Sequence, residues 1–376
     1  MHSKRVLLVW LYLFGSGSLL AQPAENLILV TMDGVRWQDV FTGADSTLLF
    51  DPVYSRDTSA ARKAFWATTP TERRERFMPF LWTTLAKQGQ LYGNRKLGSR
   101  MNVSNPHWFS YPGYNEILSG YADDRIKSND KIDNPNVTVL EFINQQPGFT
   151  GKVAAFSSWD VIEAAVNEKR SGIYASSANE ASQPTTGPDS LLADMTRLLP
   201  RPFGDGVRAD MLTYFTARQY IKEKRPRVLF LSFDETDDLA HAGQYAEHLQ
   251  MVQSIDRYLS DLWQLLQSMP QYGGKTALLI TTDHGRGHTP KARWKDHGTK
   301  TADSYQIWLA AMGAGVATTG ASTPGLSVTG ESTPGEQKNG PVLYQNQIAA
   351  TLAKLLGITF TADHPVGAPI DMSPSR

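Results

Sequence analysis

The stretch Thr281-Thr-Asp-His-Gly-Arg-Gly-His-Thr-Pro-Lys-Ala-Arg-Trp-Lys-Asp-His-Gly298 decides how the rest of the chain is read. It follows Lys275-Thr-Ala-Leu-Leu-Ile280, a short aliphatic run of the kind that forms a buried parallel strand. A strand that ends in Asp-His-Gly delivers two metal-competent side chains to the carboxyl edge of a sheet, where open α/β folds place their ligand sites. Three of the eight histidines, His284, His288 and His297, fall within these few residues, a density that core packing does not explain. One histidine in a polar loop would read as solvated. Asp283-His284 at a strand end, with His297 close behind, reads as a site.

Two other segments share this grammar. Asn26-Leu-Ile-Leu-Val-Thr-Met-Asp-Gly-Val-Arg36 is an aliphatic strand that runs into Asp33-Gly34. Alone, Asp33 could equally cap a following helix; beside a second strand ending in Asp-His it becomes a metal-ligand candidate. Arg227-Val-Leu-Phe-Leu-Ser-Phe233 is a third strand, followed by Asp234-Glu-Thr-Asp-Asp-Leu-Ala-His241. There Asp237 and His241 stand four apart, which on a helix puts both on one face. Ser110 precedes Pro112 at an expected helix start, where free backbone N–H groups and the positive end of the helix dipole favour phosphate. A plain capping serine is the simpler reading of that position by itself.

At 376 residues the chain can bury a substantial core as one large α/β domain or as a domain with an inserted cap. Lys+Arg 37 balance Asp+Glu 37, so nothing argues for nucleic acid or an anionic membrane as partner. The absence of cysteine removes disulfides, thiolate metal sites and cysteine nucleophiles. Lys4-Arg5, an apolar run over residues 6–14 and a small-residue segment ending at Ala21 read as a cleaved leader, too short to span a bilayer. The mature protein, residues 22–376, is therefore expected outside the cytoplasm, periplasmic or secreted, without stable membrane insertion.

The remaining pattern predicts helices over residues 77–88, 136–146, 209–224, 246–269 and 344–356, and strands over 151–156 and 304–310. Leu249, Val252, Ile255, Leu259 and Leu262 form a core-facing stripe, and His248 reads as structural. Arg73-Arg-Glu-Arg76 reads as a solvated face. Lid or cap excursions are expected around residues 45–75, 172–189 and 313–340.

Three strand ends thus offer Asp33, Asp237 with His241, and Asp283 with His284, with His297 nearby. Six such ligands suit two divalent metal ions with three protein ligands each. A mixed nitrogen and oxygen set favours zinc, with manganese or iron as the other candidates. Two such ions can clamp the attacking and leaving oxygens of an in-line displacement.

These motifs resemble the alkaline phosphatase superfamily, nearest its nucleotide pyrophosphatase/phosphodiesterase branch and related secreted phosphatases. The resemblance rests on Asp33-Gly34, on Ser110 two before Pro112 and ten before Gly120, on Asp237-x-x-x-His241, on Asp283-His284-Gly285 and on His297-Gly298. It implies a doubly wound, mostly parallel central sheet flanked by helices. It implies one metal on Asp33, Asp283 and His284, the other on Asp237, His241 and His297, and Ser110 as nucleophile bound between them. It also implies that Asn129 hydrogen-bonds a phosphoryl oxygen, a match that needs a short deletion. The substrate would be a small phosphate ester, mono or di, cleaved through a phosphoserine.

Two departures stand out. Tyr111-Pro112-Gly113-Tyr114 replaces the family's usual Phe-Pro-Asn-His, and the interval from Asp283 to His297 is short for the diesterase branch. Trp108 and Tyr111 are expected to line the cleft. A sulfatase is opposed by Tyr114, which stands where its motif needs Arg, and a phosphomutase by the leader. An inactive binding protein that keeps the fold would have no need of the complete ligand set.

Overall fold

The computed structural model describes residues 22–178, 188–318 and 334–373. The expected leader lies outside them. Its centre is a seven-stranded sheet built around β1 (Asn26–Met32), β6 (Val228–Phe233) and β7 (Thr276–Thr281), each buried along its whole length. Strands covered on both faces need continuous apolar sequence, and these three have it. With β2 (Gly89–Tyr92), β3 (Met101–Asn102), β4 (Val153–Ser157), β5 (Tyr174–Ser177), β8 (Gln306–Ile307), β9 (Leu309–Gly313) and β10 (Leu343–Tyr344), the described residues form ten strands. The main sheet runs β2-β9-β7-β1-β6-β4-β5, and β10-β3-β8 form a small second sheet. Only β9 opposes the other strands of the main sheet. The expected doubly wound, mostly parallel α/β architecture is what is observed.

Register explains the site. Met32 pairs with Phe233 and Thr31 with Thr281, so β1, β6 and β7 end side by side and release their acidic residues at one edge. The two faces of the sheet carry separate apolar layers. One holds the 24-residue helix Tyr245–Ser268, whose Leu249, Val252, Ile255, Leu259 and Leu262 are buried. The other holds Ile117 and Leu118 of the helix Ser110–Ser119, and Ile348 and Leu352 of the helix Ile348–Leu355.

Several expectations need correction. Arg74 is not part of a solvated face: it is buried, pairs with Glu336 at 3.1 Å and lies 3.8 Å from the Trp82 ring centroid. Phe77 ends the helix Pro70–Phe77, and the chain then enters a π-helical turn, Leu81–Leu85, whose leading N–H groups are bound by Asp256. The segment then ends in the short helix Ala86–Gln88, which Gly89 caps as it opens β2. The expected strand over 304–310 is split into β8 and β9 at Trp308, whose indole donates 2.8 Å to the Val35 carbonyl. Of the excursion at 172–189, residues 174–177 form β5 of the main sheet, while 179–187 lie outside the described residues. So do 319–333 of the third excursion. Within 45–75 the chain forms three short helices. Among the described residues, no helix is long and apolar enough to cross a membrane.

Candidate active site

Four loops meet at the carboxyl edge. Asp33 leaves β1 and turns at Gly34, which has φ +61°; a Cβ there would stand 2.7 Å from Asp237 Oδ1 and 2.8 Å from Arg286 Nε. Glycine is required both for the turn and for the close approach. Asp237 and His241 share one face of the short helix Glu235–His241, with His241 Nε2 3.0 Å from Asp237 Oδ2. Asp283 and His284 follow β7, and His297 returns after the 3-10 turn Lys291–Lys295.

His284 Nε2 is the meeting point. It lies 3.3 Å from Asp33 Oδ1, 3.5 Å from Asp283 Oδ2, 3.7 Å from Asp237 Oδ1 and 3.4 Å from Ser110 Oγ. Asp33, Asp283 and His284 are close enough to hold one ion. Asp237 bridges outward: its Oδ1 faces His284 and His297, and its Oδ2 faces His241. His241 Nε2 in turn lies 2.9 Å from His297 Nε2. All six expected ligands are therefore adjacent.

The chemistry of this donor set fits cations. His284 Nδ1 sits 2.9 Å from the Gly285 carbonyl, a contact that keeps a proton on Nδ1 and turns Nε2 toward the carboxylates, the nitrogen that would bind a metal once deprotonated. Asp33 Oδ1, Asp283 Oδ2 and His297 Nδ1 are buried without a hydrogen-bond partner. Burial and the neighbouring Asp33 push Asp283 up to about 8. Burial opposes charge on His284, but Asp283 and Asp33 outweigh it and hold the imidazole up to about 9. Burial, reinforced by His284 and Arg286, drives His297 far below its ordinary value. Crowded buried carboxylates thus draw a proton onto His284, the charge that a bound cation would supply in its place, while His297 is kept neutral.

Ser110 begins the helix Ser110–Ser119, with Phe109 as its N-cap. Sequence reasoning missed how that serine is presented. Glu116, further along the same helix, accepts from Ser104 N at 2.9 Å, Asn105 N at 2.9 Å, Asn105 Nδ2 at 2.8 Å and Asn346 N at 2.9 Å. Asn105 Oδ1 then accepts from His107 N and Trp108 N, and Trp108 takes φ 55°. The loop before Ser110 is thus pinned to the helix after it. The signal available was Asn-Glu inside an otherwise apolar helix, a buried acid that needs donors.

Asn129 Oδ1 accepts from Tyr111 N at 2.9 Å, which brings this residue to the start of the Ser110 helix. Tyr111 itself does not line a cleft: its side chain is buried and its hydroxyl donates 2.5 Å to the Ile132 carbonyl. Tyr114 donates 3.0 Å to Asp33 Oδ2, orienting that carboxylate, a role the family's motif does not announce. Arg286 is the other residue missed. Its buried guanidinium contacts Asp237 Oδ1 and donates to the Gly34 and Lys295 carbonyls.

Residues 45–306 match the family of type I phosphodiesterases / nucleotide pyrophosphatases. A search of curated proteins returns no match. Among solved structures, the alkaline phosphatase PafA is similar with TM-score 0.57 and 12% identity, over 94% of this chain and 99% of that one. The lipoteichoic acid synthase LtaP from Listeria monocytogenes gives TM-score 0.55 and 13% identity, over 96% and 78%. A 2-O GAG sulfatase gives 0.51 and 12%, over 90% and 72%. At such identities the likeness is one of fold. The family match spans well over half of the sequence and takes in Ser110, Asp237, His241, Asp283, His284 and His297, with Asp33 lying before it, so the chain belongs to the type I phosphodiesterase / nucleotide pyrophosphatase family, a hydrolase of the alkaline phosphatase superfamily.

Proposed function

We propose that this chain is a periplasmic or secreted two-metal phosphohydrolase that cleaves phosphate mono- or diesters through a phosphorylated Ser110. The observation that carries the reading is Ser110 Oγ at a helix start, 3.4 Å from the imidazole on which Asp33, Asp283 and Asp237 converge. Asp33, Asp283 and His284 would hold one divalent ion and Asp237, His241 and His297 the other, zinc being favoured over manganese or iron. When bound, such ions supply Lewis-acid charge that favours the ionised serine and offsets charge on the phosphoryl group.

The chain's own residues do the rest. Ser110 Oγ forms a bond to phosphorus as the ester P–O bond opposite it breaks, and the departing alcohol takes up a proton. Water then attacks phosphorus, the P–Oγ bond breaks, and Ser110 recovers its hydroxyl proton, which divides one difficult displacement into two. The N-terminal end of the helix Ser110–Ser119 favours the negative phosphoryl group. Asn129 uses its Oδ1 on Tyr111 N, which leaves its amide NH2 to donate to a phosphoryl oxygen. Glu116 fixes the loop from which Ser110 emerges. We take residues 22–376 as one catalytic domain behind a leader over 1–21, with the excursions around 45–75, 172–189 (apart from β5) and 313–340 as cap material.

The test is a panel of p-nitrophenyl phosphate, bis(p-nitrophenyl) phosphate and p-nitrophenyl sulfate with zinc present. Turnover of either phosphate ester supports the reading. Turnover of the sulfate alone would make the chain a sulfatase, and no turnover of any would favour a binding protein that keeps the fold.

A further inference from the structure

Beside the candidate catalytic edge lies a second cavity of about 470 Å³, within the range of small-molecule sites. Its wall comes from the helix Trp37–Thr42 after β1, from Trp66 and from the Arg95-Lys96 turn after β2. Two indoles face one polar space. Trp37 is anchored by its Nε1, which donates 2.7 Å to Gln306 Oε1. Trp66 is held by the Arg73 guanidinium, 4.4 Å from its ring centroid, and by the edge-on ring of Phe50 at 5.0 Å. Both tryptophans remain partly exposed. Each packs against the core and stays half-open, so the fixed indoles offer stacking surface to a flat or pyranose ring.

Several polar atoms around them are unspent. Gln38 Oε1 and Arg95 Nε are buried in the wall without a hydrogen-bond partner, and leaving such groups unpaired is costly. Asp45 uses Oδ1 on Thr47, while its Oδ2 has only Arg36 at 3.6 Å. Lys96 is exposed, and no described residue pairs with its ammonium. Gln38 and Asp45 are acceptors suited to ligand hydroxyls; Arg95 and Lys96 are donors suited to an anion. An apolar ligand would satisfy none of them.

We propose that this cavity binds a hydroxylated ring bearing an anionic group, the chemistry of an acidic sugar. The site adjoins the Ser110 loop without sharing its residues: the Arg95 guanidinium lies 5.5 Å from the Tyr305 ring, which packs tilted against Trp108 at 5.3 Å. The inference is independent of the phosphohydrolase reading, because its test needs no turnover.

The experiment is calorimetric titration of the full chain with glucuronate, with acetate (the anion without the ring) and with glucose (the ring without the anion). Saturable glucuronate binding is expected, with acetate and glucose each at least about tenfold weaker, a difference of about 1.4 kcal/mol. Trp66→Ala should weaken glucuronate about tenfold. Lys96→Gln, an exposed change that spares the fold, should weaken it several-fold. No saturable binding up to about 50 mM glucuronate, or equal affinity in wild type and both variants, would overturn the site. Equal affinity for acetate and glucuronate would overturn the ring-binding part.

Discussion

Gly113→Ala is the substitution that best exposes how the nucleophile is positioned. Gly113 lies inside the helix Ser110–Ser119, and in an open helix the exchange of Gly for Ala stabilises by about 0.8–1 kcal/mol. Here the sign should reverse. A Cβ at Gly113 would stand 2.5 Å from the Asp283 carbonyl oxygen and 3.3 Å from Asp283 Cβ. The first of these is roughly 1 Å inside van der Waals contact. Nor can the carbonyl simply swing away, since it accepts 2.6 Å from Gln345 Nε2. The helix must therefore move off the end of β7, and it carries Ser110 with it. Overpacking of this kind costs about 1–3 kcal/mol, and a displacement near 1 Å can cost about 10²-fold in rate. The variant should melt below wild type and turn over p-nitrophenyl phosphate about 10²-fold more slowly at saturation. Gly340→Ala is the control, since a Cβ there meets nothing within 4 Å. A Gly113→Ala protein that is more stable than wild type and equally active would refute the account of helix placement.

Three other outcomes are expected. Ser110→Ala should keep fold and metal but lose more than the roughly 10²–10⁴-fold that acid–base help alone supplies, Ser110→Thr should retain more, and acid-quenched wild type should yield a phosphopeptide containing Ser110; a label elsewhere would defeat the covalent route. Purified protein should carry close to two transition-metal ions by elemental analysis, and Asp237→Ala or His241→Ala should lose about one; full occupancy in either would remove that pair from the ligand set. Burial pushes Asp256 up to about 7, although Phe80 N and Leu81 N donate to its carboxylate. A raised carboxyl contributes stability that is complete below its unfolded value near 4 and is lost as pH rises through about 7, by up to about 1.4 kcal/mol per pH unit. Urea unfolding of wild type relative to Asp256→Asn should show that decline between pH 5 and 7, and a flat difference would contradict it.

The strand ends were legible because one residue pattern, aliphatic run then Asp, is dictated by burial and then by its sudden end. Asp33, Asp237, His241, Asp283, His284 and His297 needed only the assumption that those strands lie in one parallel sheet. What joins them needed register, which no local pattern carries: Thr31 opposite Thr281 and Met32 opposite Phe233 are facts of the assembled sheet. β5 escaped notice because Tyr174-Ala-Ser-Ser177 has almost no hydrophobic signature; as an edge strand it is covered on fewer sides. Arg74 and Arg286 escaped for a related reason. A charged residue reads as solvated until its partner is known, and Glu336 and Asp237 lie 262 and 49 residues away.

The way the Asp33 and Asp283 carboxylates are held argues for ligands over a structural ion-pair cluster. Asp33 gives Oδ2 to the Tyr114 hydroxyl and leaves Oδ1 unpaired. Asp283 gives Oδ1 to Gly34 N at 3.0 Å and leaves Oδ2 unpaired. In each case the scaffold fixes the carboxyl plane with one oxygen and withholds a donor from the other. A cluster meant only for stability would satisfy both, because an unpaired buried carboxylate oxygen costs free energy and two such groups repel. The unpaired oxygens also share a direction, since both lie near His284 Nε2, while His284 Nδ1 is held by the Gly285 carbonyl on the far side of the ring. Two carboxylate oxygens converging there, each with its reverse side anchored, become favourable only around positive charge, carried by a proton on His284 or by a cation that displaces it. Ser110 Oγ, 3.4 Å from the same nitrogen, stands at the edge of that space, where a hydroxyl would be ionised most readily.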